Sequence, residues 1–278
     1  MFGSFLFSLF FRSHIIKMCV LYAQFEFAKE INMEIRTFGG GGRIRECERV
    51  LRGSLSGWPG RLILLTIPTS RDNKYITDDS AMLEDIIPLI DSETALVGYN
   101  IPPVLLDFAD KAGAQVYDGG LDEDFLSANA ELTARGALGY LLTHGERDLS
   151  ELSVGVVGYG RIGSRLVRML LLFGAKITLY TRRQSLAMEL CEMGISALTP
   201  EEWDFSGLDM LINTAPARQI EEEKLPANLE ILDLASGRVF EPSGRLTKLA
   251  SIPDMMYPKT AGRLYAESAM ARLWGDNL

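Results

Sequence analysis

The sequence predicts an α/β protein made of two domains, each built on a parallel β-sheet. Short apolar segments alternate with segments of helical periodicity over most of the chain, which is the pattern of βαβ units. A glycine-rich turn joins one strand-like segment to one helix-like segment near the middle of the chain. The chain has 278 residues, 47% of them hydrophobic, which suffices for two cores of ordinary domain size.

The first 32 residues differ from the rest. Met1–Phe11 is apolar and rich in Phe, and basic residues follow this run instead of preceding it, which is the wrong order for a secretory signal. Met33 is followed at once by a strand-like segment. We therefore predict that residues 1–32 are a leader outside the fold and that the functional polypeptide begins at Met33; a disordered or membrane-touching tail is the alternative.

We predict a first domain over residues 33–129, a small parallel α/β unit that forms the substrate side. Its predicted strands are Glu34–Phe38, Arg61–Thr66, Ala95–Val97 and Gln115–Tyr117, and the helices between them are Ala81–Leu89 and Val104–Ala112. The segments Ile67-Pro68 and Gly98-Tyr99-Asn100 follow strands at one carboxyl edge, where open α/β sheets bind their ligands.

Four consecutive glycines, Gly39–Gly42, follow the first predicted strand and open a helix. Backbone N–H groups at such a turn could bind an anion. A glycine run without the spacing of a nucleotide-binding motif is more often a flexible connection, and both interpretations stay open.

The sequence Gly158-Tyr159-Gly160-Arg161-Ile162-Gly163 has the spacing of a dinucleotide-binding turn. It lies between the predicted strand Leu152–Val157 and the predicted helix Arg161–Phe173, and the strand Lys176–Tyr180 completes a βαβ unit. The first glycine permits the tight turn, the second lets the backbone approach a pyrophosphate, and the third lets the helix pack close to the strand. We therefore predict a Rossmann domain and assign all six residues to cofactor binding; a purely structural turn is the alternative.

The end of the next strand indicates which dinucleotide is bound. An NAD site usually has Asp or Glu here to bind the ribose 2′-hydroxyl, whereas this chain has Thr181, Arg182 and Arg183. Two guanidinium groups and a hydroxyl suit a 2′-phosphate. We therefore predict NADP as the cofactor, with NAD less favoured; the alternative is a solvated Arg pair at the start of a helix.

Small residues follow the next two predicted strands, Asp209–Asn213 and Leu229–Leu234. Small side chains there would let a cofactor lie across the strand ends, and the alternative is that they only turn the chain. On this basis we assign four residues to cofactor binding: Thr214, Ala215, Pro216 and Ala235.

These segments set the remaining domain boundaries. A helix over Ala128–Leu142 leads into the Rossmann domain, which we place at residues 130–262. Residues 263–278 belong to a long final helix, Thr260–Trp274, which we expect to cross back to the first domain.

Composition excludes several classes of function. The net charge of −9 argues against a nucleic-acid-binding surface, which is normally basic. Cys19, Cys47 and Cys191 are far apart and lack metal-ligand spacing, so we predict no metal and a reducing cytoplasm. No stretch of about 20 apolar residues suggests a membrane span.

Four motifs, taken in order, resemble the A subunit of dipicolinate synthase. They are the turn Gly158–Gly163, Asn213-Thr214-Ala215-Pro216, Leu232-Asp233-Leu234-Ala235-Ser236 and Pro258-Lys259-Thr260-Ala261-Gly262. The resemblance extends from Met33 to the end, and its most specific part is Asp-Leu-Ala-Ser followed by Pro-Lys-Thr-Ala-Gly. The chain departs from the family's pattern at Gly237–Glu241, where a proline and glycines are usual, and at the four glycines of the first domain.

The resemblance implies a cytoplasmic enzyme of sporulation. It would convert a small cyclic dicarboxylate, a dihydrodipicolinate-type precursor, to pyridine-2,6-dicarboxylate with a nicotinamide cofactor. It would work with the flavoprotein-like second subunit of dipicolinate synthase, and we expect the assembled protein to be an oligomer. The alternative is a regulatory or partner-binding module that binds NAD(P) and has lost turnover.

Few residues qualify for catalysis. The only histidines are His14 and His144, and neither lies in the predicted strand-end loops, where a two-domain 2-hydroxyacid dehydrogenase needs one as acid/base. Oxidation of a dihydropyridine-type ring mainly requires that the protein position the ring and its carboxylates. Lys259 and Thr260 are our catalytic candidates because they combine an ammonium, a hydroxyl and helix N–H groups; the alternative is Thr260 as an N-cap with Lys259 in solvent.

A protein that begins at Met33 is expected to be at least as soluble as the full chain and to bind NADP equally well, because an exposed apolar leader favours aggregation. Sedimentation and NADP titration of the two proteins check this. Loss of folding on deletion of residues 1–32 would show instead that the segment packs into the first domain.

Overall fold

The computed structural model describes residues 34–55, 58, 60–216, 220–237 and 239–275. The predicted leader lies outside the described residues. Within them the predicted fold class is confirmed, since two sheets form and every strand pairing in both is parallel.

The described chain divides into two units by the contacts among its residues. Unit 1 comprises the residues up to Gly40, Cys47–Gly119 and the residues from Ala269 onward, and unit 2 comprises Gly41–Glu46 and Gly120–Ser268. The end of the last helix thus groups with unit 1, where Trp274 packs edge-on against Trp58 with ring centroids 5.2 Å apart. This confirms the predicted return of the C-terminal helix, whereas the domain boundaries after residues 129 and 262 stay predictions.

Unit 1 contains a four-stranded parallel sheet in sequence order. Its strands are β1 (Glu34–Phe38), β2 (Arg61–Leu65), β3 (Thr94–Gly98) and β4 (Gln115–Asp118). The central strands β2 and β3 are buried along almost their whole length, as expected for continuous apolar strands covered on both faces. The strand ends predicted to share an edge do so, because Thr69 N–H donates to the Tyr99 carbonyl over 2.9 Å and Tyr99 N–H to Thr69 Oγ1 over 3.1 Å.

Three α-helices accompany this sheet along the chain: α1 (Gly42–Ser54), α2 (Leu83–Ile86) and α3 (Pro103–Ala112). Helix α3 begins with a proline and ends at Gly113, which has φ +73°, the usual pair of helix boundaries. The predicted helix Ala81–Leu89 is wrong in extent. Only α2 is α-helical, and Ile87–Leu89 is a 3₁₀ turn, because Pro88 cannot donate the hydrogen bond that would continue the helix.

Unit 2 contains a six-stranded parallel sheet in the order β10-β9-β8-β5-β6-β7. Its strands are β5 (Ser153–Val157), β6 (Lys176–Tyr180), β7 (Ser196–Leu198), β8 (Met210–Asn213), β9 (Glu230–Asp233) and β10 (Leu246–Lys248). This is the doubly wound Rossmann order, in which the direction of winding reverses between β5 and β8. The ends of β5 and β8 therefore open the crevice in which such sheets bind ligands.

Five helices complete the described part of the chain: α4 (Glu123–His144), α5 (Arg161–Leu172), α6 (Gln184–Glu192), α7 (Ile252–Met256) and α8 (Pro258–Leu273). Helix α5 buries Gly163, Leu166, Val167 and Leu170, the i, i+3, i+4, i+7 face of an amphipathic helix. It ends because Gly174 takes φ +80° and its N–H binds the Leu171 carbonyl, as in a left-handed helix terminus.

Two helices begin earlier than predicted, for local reasons. The Asp122 carboxylate accepts hydrogen bonds from the N–H groups of Asp124 and Phe125 and thereby caps α4 ahead of the predicted start at Ala128. Pro258 is the first residue of α8, a position at which proline loses no hydrogen bond, so the idea that Thr260 is the N-cap is wrong. The elements that periodicity did not reveal have nine residues or fewer: α6, α7, β7 and β10.

No helix in the described ranges is long and apolar enough to cross a membrane.

Candidate cofactor site at the carboxyl edge of the second sheet

The first glycine of the turn has the conformation that the motif requires. Gly158 follows β5 with φ +90°, a region that residues with a side chain rarely adopt. Its N–H donates to the Tyr180 carbonyl over 3.0 Å, and a Cβ atom here would lie 3.1 Å from Thr214 Oγ1 and 3.3 Å from Ala215 Cβ. The turn is therefore held against the ends of β6 and β8.

The second and third glycines differ in how much space surrounds them. A Cβ atom added to Gly160 would have nothing within 4 Å, whereas one added to Gly163 would collide with the Gly158 carbonyl oxygen. Gly163 is thus required for the close approach of α5 to the turn. Gly160 is not required by the protein's own packing, and it leaves open space in front of the helix.

This space lies at the N-terminus of α5, where the first amide groups of a helix have no intrahelical acceptor. Gly160 occupies the N-cap position and has no side chain to cap them. The partial positive charge of a helix N-terminus attracts phosphate groups. The geometry around Gly160 therefore fits a pyrophosphate.

The Arg pair adjoins this turn. The Nη2 atom of Arg183 donates to the Tyr159 carbonyl over 3.1 Å, and the Arg183 N–H donates to Thr181 Oγ1 over 3.2 Å. Thr181 is buried, whereas Arg182 and Arg183 are exposed. A cationic side chain thus spans from the end of β6 to the glycine turn, where it can bind an anionic group beside the pyrophosphate space.

Arg161 of the glycine motif is directed elsewhere. Its Nη2 atom lies 2.6 and 2.7 Å from the two carboxylate oxygens of Glu123. One turn further along α5, the Arg165 Nη2 atom donates to Ser127 Oγ over 2.5 Å, and Nε lies 3.2 Å from Glu131. The basic side of α5 is therefore paired with the acidic side of α4, and Arg161 could reach a phosphate only by leaving Glu123.

The residues after β8 close the other side of the crevice. Thr214 Oγ1 donates to the Val157 carbonyl over 2.9 Å and reaches the Gly158 carbonyl at 3.3 Å. Ala215 and Ala235 are buried, and Pro216 is exposed. The structure thus brings Thr214 and Ala215 to the glycine turn, as the sequence predicts for residues at neighbouring strand ends.

Sequence reasoning did not assign two buried polar residues at this edge. Asn213 ends β8 and Asp233 ends β9, each is 1% exposed, and the Asn213 Nδ2 atom donates to Asp233 Oδ1 over 2.8 Å. Polar residues at the ends of two successive apolar strands were the available signal. Their pairing, however, depends on the strand register.

The catalytic candidates Lys259 and Thr260 lie in the first turn of α8 and are both exposed. They are free of the core and therefore available to a solvent-accessible ligand. Their assignment as catalytic residues stays a prediction.

The four-glycine turn is already engaged by carboxylates. Asp79 Oδ2 accepts the Gly39 N–H over 2.7 Å, and Asp254 Oδ1 accepts the Arg43 N–H over 2.6 Å. Donation from Gly39 and Ala81 lowers the pKa of the Asp79 carboxyl. Because acidic side chains of the protein accept hydrogen bonds from these amides, the turn is better explained as a structural connection than as a site that binds an anion.

Two other titratable groups are unsuited to chemistry in the crevice. His144 stacks on Tyr140 with ring centroids 4.1 Å apart and lines a cavity of about 460 Å³ with Asp209 and Glu230, which lie at the amino ends of β8 and β9. It is thus at the edge opposite the glycine turn. Burial raises the pKa of Tyr180 to about 12, so this phenol stays protonated at neutral pH.

In the described part of the chain, no group of three or more His, Cys, Asp or Glu side chains could hold a metal ion.

One family model matches the region just described. It is the NAD-binding domain of D-isomer-specific 2-hydroxyacid dehydrogenases, and it matches residues 140–229. The match covers less than half of the chain but includes the glycine turn, the Arg pair and β8. Together with the geometry at Gly160, it supports a nicotinamide-dinucleotide-dependent oxidoreductase.

Solved structures share the fold over most of the chain. The A subunit of dipicolinate synthase from Bacillus halodurans is 20% identical, with a TM-score of 0.70 over 87% of this chain and 98% of that one. The corresponding chain of dipicolinate synthase from Bacillus subtilis is 19% identical, with a TM-score of 0.66 over 87% and 96%. A transhydrogenase from Sinorhizobium meliloti is 14% identical, with a TM-score of 0.56 over 86% and 93%.

No curated protein matches the chain in sequence. At the identities of these structural neighbours, the similarity establishes the fold alone. The resemblance to dipicolinate synthase that the four motifs indicate is confirmed at that level.

Proposed function

We propose that this protein is an NADP-dependent oxidoreductase that converts a dihydrodipicolinate-type precursor to pyridine-2,6-dicarboxylate. The observation that carries the cofactor half of the proposal is the open space at Gly160, in front of the α5 N-terminus, with the Arg183 side chain crossing beside it. A 2′-phosphate and a pyrophosphate are the anionic groups that this arrangement suits.

The substrate half rests on the scarcity of acid/base groups. His144, the one histidine among the described residues, lies at the opposite edge of the sheet, which disfavours a 2-hydroxy acid as substrate because its oxidation requires a base at the hydroxyl. Aromatisation of a dihydropyridine-type ring removes one hydride and one proton. A bound nicotinamide supplies the hydride acceptor, and the proton is acidic enough to pass to water.

In this proposal the chain's own residues bind and orient the cofactor and the substrate. Gly158, Gly160 and the α5 N-terminus hold the pyrophosphate, Arg182 and Arg183 hold the 2′-phosphate, and the small residues after β8 and β9 admit the rest of the cofactor. Lys259 and Thr260 bind a substrate carboxylate. A flavoprotein-like partner protein, an oligomeric assembly, a cytoplasmic location and a role in sporulation belong to the same proposal.

The full chain incubated with NADP and freshly made hydroxytetrahydrodipicolinate, which dehydrates to the dihydro ring, is expected to form dipicolinate. The measurement is the ultraviolet absorbance of dipicolinate, followed together with the appearance of NADPH, with and without the flavoprotein-like partner. Binding of NADP without product in either arm would favour the regulatory module, and failure to bind any nicotinamide dinucleotide would exclude both.

A further inference from the structure

Three polar side chains form a row across the carboxyl ends of β8, β9 and β10. The strand register pairs Asn213 with Asp233 and Asp233 with Lys248. The Lys248 Nζ atom lies 2.7 Å from Asp233 Oδ2, and Asn213 binds the other carboxylate oxygen. The Asp233 side chain is 2% exposed and that of Lys248 33% exposed, so a buried carboxylate is neutralised from the partly exposed side.

The row holds the backbone of Ala215, which lies just after β8, and of Ala235, which lies just after β9. The Asn213 amide donates to the Ala215 carbonyl over 3.1 Å and accepts the Ala215 N–H over 3.2 Å. Asp233 Oδ1 accepts the Ala235 N–H over 3.1 Å, and Lys248 Nζ donates to the Ala235 carbonyl. Ala215 and Ala235 are thus each held through both backbone polar groups.

The sheet order locates this row relative to the rest of the site. The glycine turn follows β5, the Arg pair follows β6 on one side of it, and β8 and β9 lie on the other side. If the 2′-phosphate end of the dinucleotide is held at the Arg pair, its nicotinamide half must extend toward the loops after β8 and β9.

We propose that Lys248, Asp233 and Asn213 are positioning residues that orient the backbone of Ala215 and Ala235 for the nicotinamide half of the cofactor. The inference rests on the proposed function, which it deepens. A buried ion pair often stabilises a fold no more than apolar side chains of similar volume do. Only directional hydrogen bonds can hold the N–H and C=O groups of both alanines in one orientation.

The test uses the full chain and measures the binding of each half of the dinucleotide separately. Binding of 2′,5′-ADP reports the Arg-pair end, and NADPH fluorescence reports immobilisation of the nicotinamide. In Lys248→Met the dissociation constant of 2′,5′-ADP should stay within about twofold, whereas that of NADPH should rise by about tenfold, the scale of one charge-assisted hydrogen bond. The fluorescence enhancement of bound NADPH should fall as well.

Matched variants distinguish a loss of cofactor positioning from a loss of protein stability. Asp233→Asn/Lys248→Met leaves no unpaired buried charge and should fold, yet it should keep the nicotinamide defect because Ala235 still loses its lysine donor. Lys248→Arg should restore part of the NADPH affinity. Lys224→Met, which removes a lysine 67% exposed, should behave like the unaltered protein.

Equal loss of affinity for both ligands, or no loss for either, would overturn the inference while leaving the proposed function intact. If the unaltered protein binds neither ligand, the proposed function fails and the inference with it.

Discussion

Substitution of Gly160 by Val is expected to abolish dinucleotide binding while the protein stays folded. A branched side chain at this position would fill the space in front of the α5 N-terminus, which the protein's own atoms leave empty to 4 Å. Loss of two hydrogen bonds to phosphate would weaken binding by about 100-fold or more. Isothermal titration with NADP measures the affinity, and thermal unfolding without ligand measures the fold.

Gly163→Val provides the matched comparison within the same motif. Its Cβ atom would collide with the Gly158 carbonyl oxygen and lie 2.9 Å from Thr214 Oγ1, so this variant should lower the melting temperature even without ligand. Gly160→Val should lower it much less, because its Cβ meets no neighbour and only the N-cap preference for Gly over Val is lost. Native affinity for NADP in a folded Gly160→Val protein would show that the dinucleotide binds elsewhere.

The second large effect is expected in the choice between cofactors. Removal of both guanidinium groups in Arg182→Ala/Arg183→Ala deletes up to two charge-assisted contacts to the 2′-phosphate, each worth about 1.5–3 kcal/mol before screening by solvent. NAD lacks that phosphate, so its affinity should change little. The NADP preference should therefore fall by about 10- to 100-fold, as measured by titration of both cofactors.

The single variants should not be equivalent. Arg183 already bridges from the end of β6 to the Tyr159 carbonyl, so Arg183→Ala should lose more of the preference than Arg182→Ala. Arg168→Ala, which removes an exposed arginine of α5, is the control for a change of net charge. An unchanged ratio of NADP to NAD affinity in the double variant would refute the assignment of NADP.

The candidate site divides into a predictable part and a part that sequence reasoning missed. The glycine turn could be predicted because the roles of its three glycines arise within one βαβ segment, and Gly158 and Gly163 show in the structure the constraints that the motif implies. The small residues after β8 could be predicted because parallel strands place their carboxyl ends at one edge. The Asn213–Asp233–Lys248 row could not, because its members come from three separate strands.

Contacts between side chains that are distant in the sequence could not be predicted either. Arg161 belongs to the glycine motif, but the pairing of its side chain with Glu123 joins two helices whose sequences give no sign of facing each other. The glycine run Gly39–Gly42 has the composition of an anion-binding turn. Only the structure shows that Asp79 and Asp254, from distant segments, accept hydrogen bonds from backbone amides at this turn.

The sequence by itself determined the α/β class and the Rossmann motif, and it predicted candidate residues for binding a dinucleotide, because these depend on hydrophobic periodicity and on backbone requirements that act over a few neighbouring residues. The tertiary structure decided which side chains meet: the row that braces Ala215 and Ala235, the pairing of α5 with α4, and the placement of His144 at the far edge of the sheet. The physical reason is that register and packing between distant segments are set by the burial of the whole core, which no local pattern encodes.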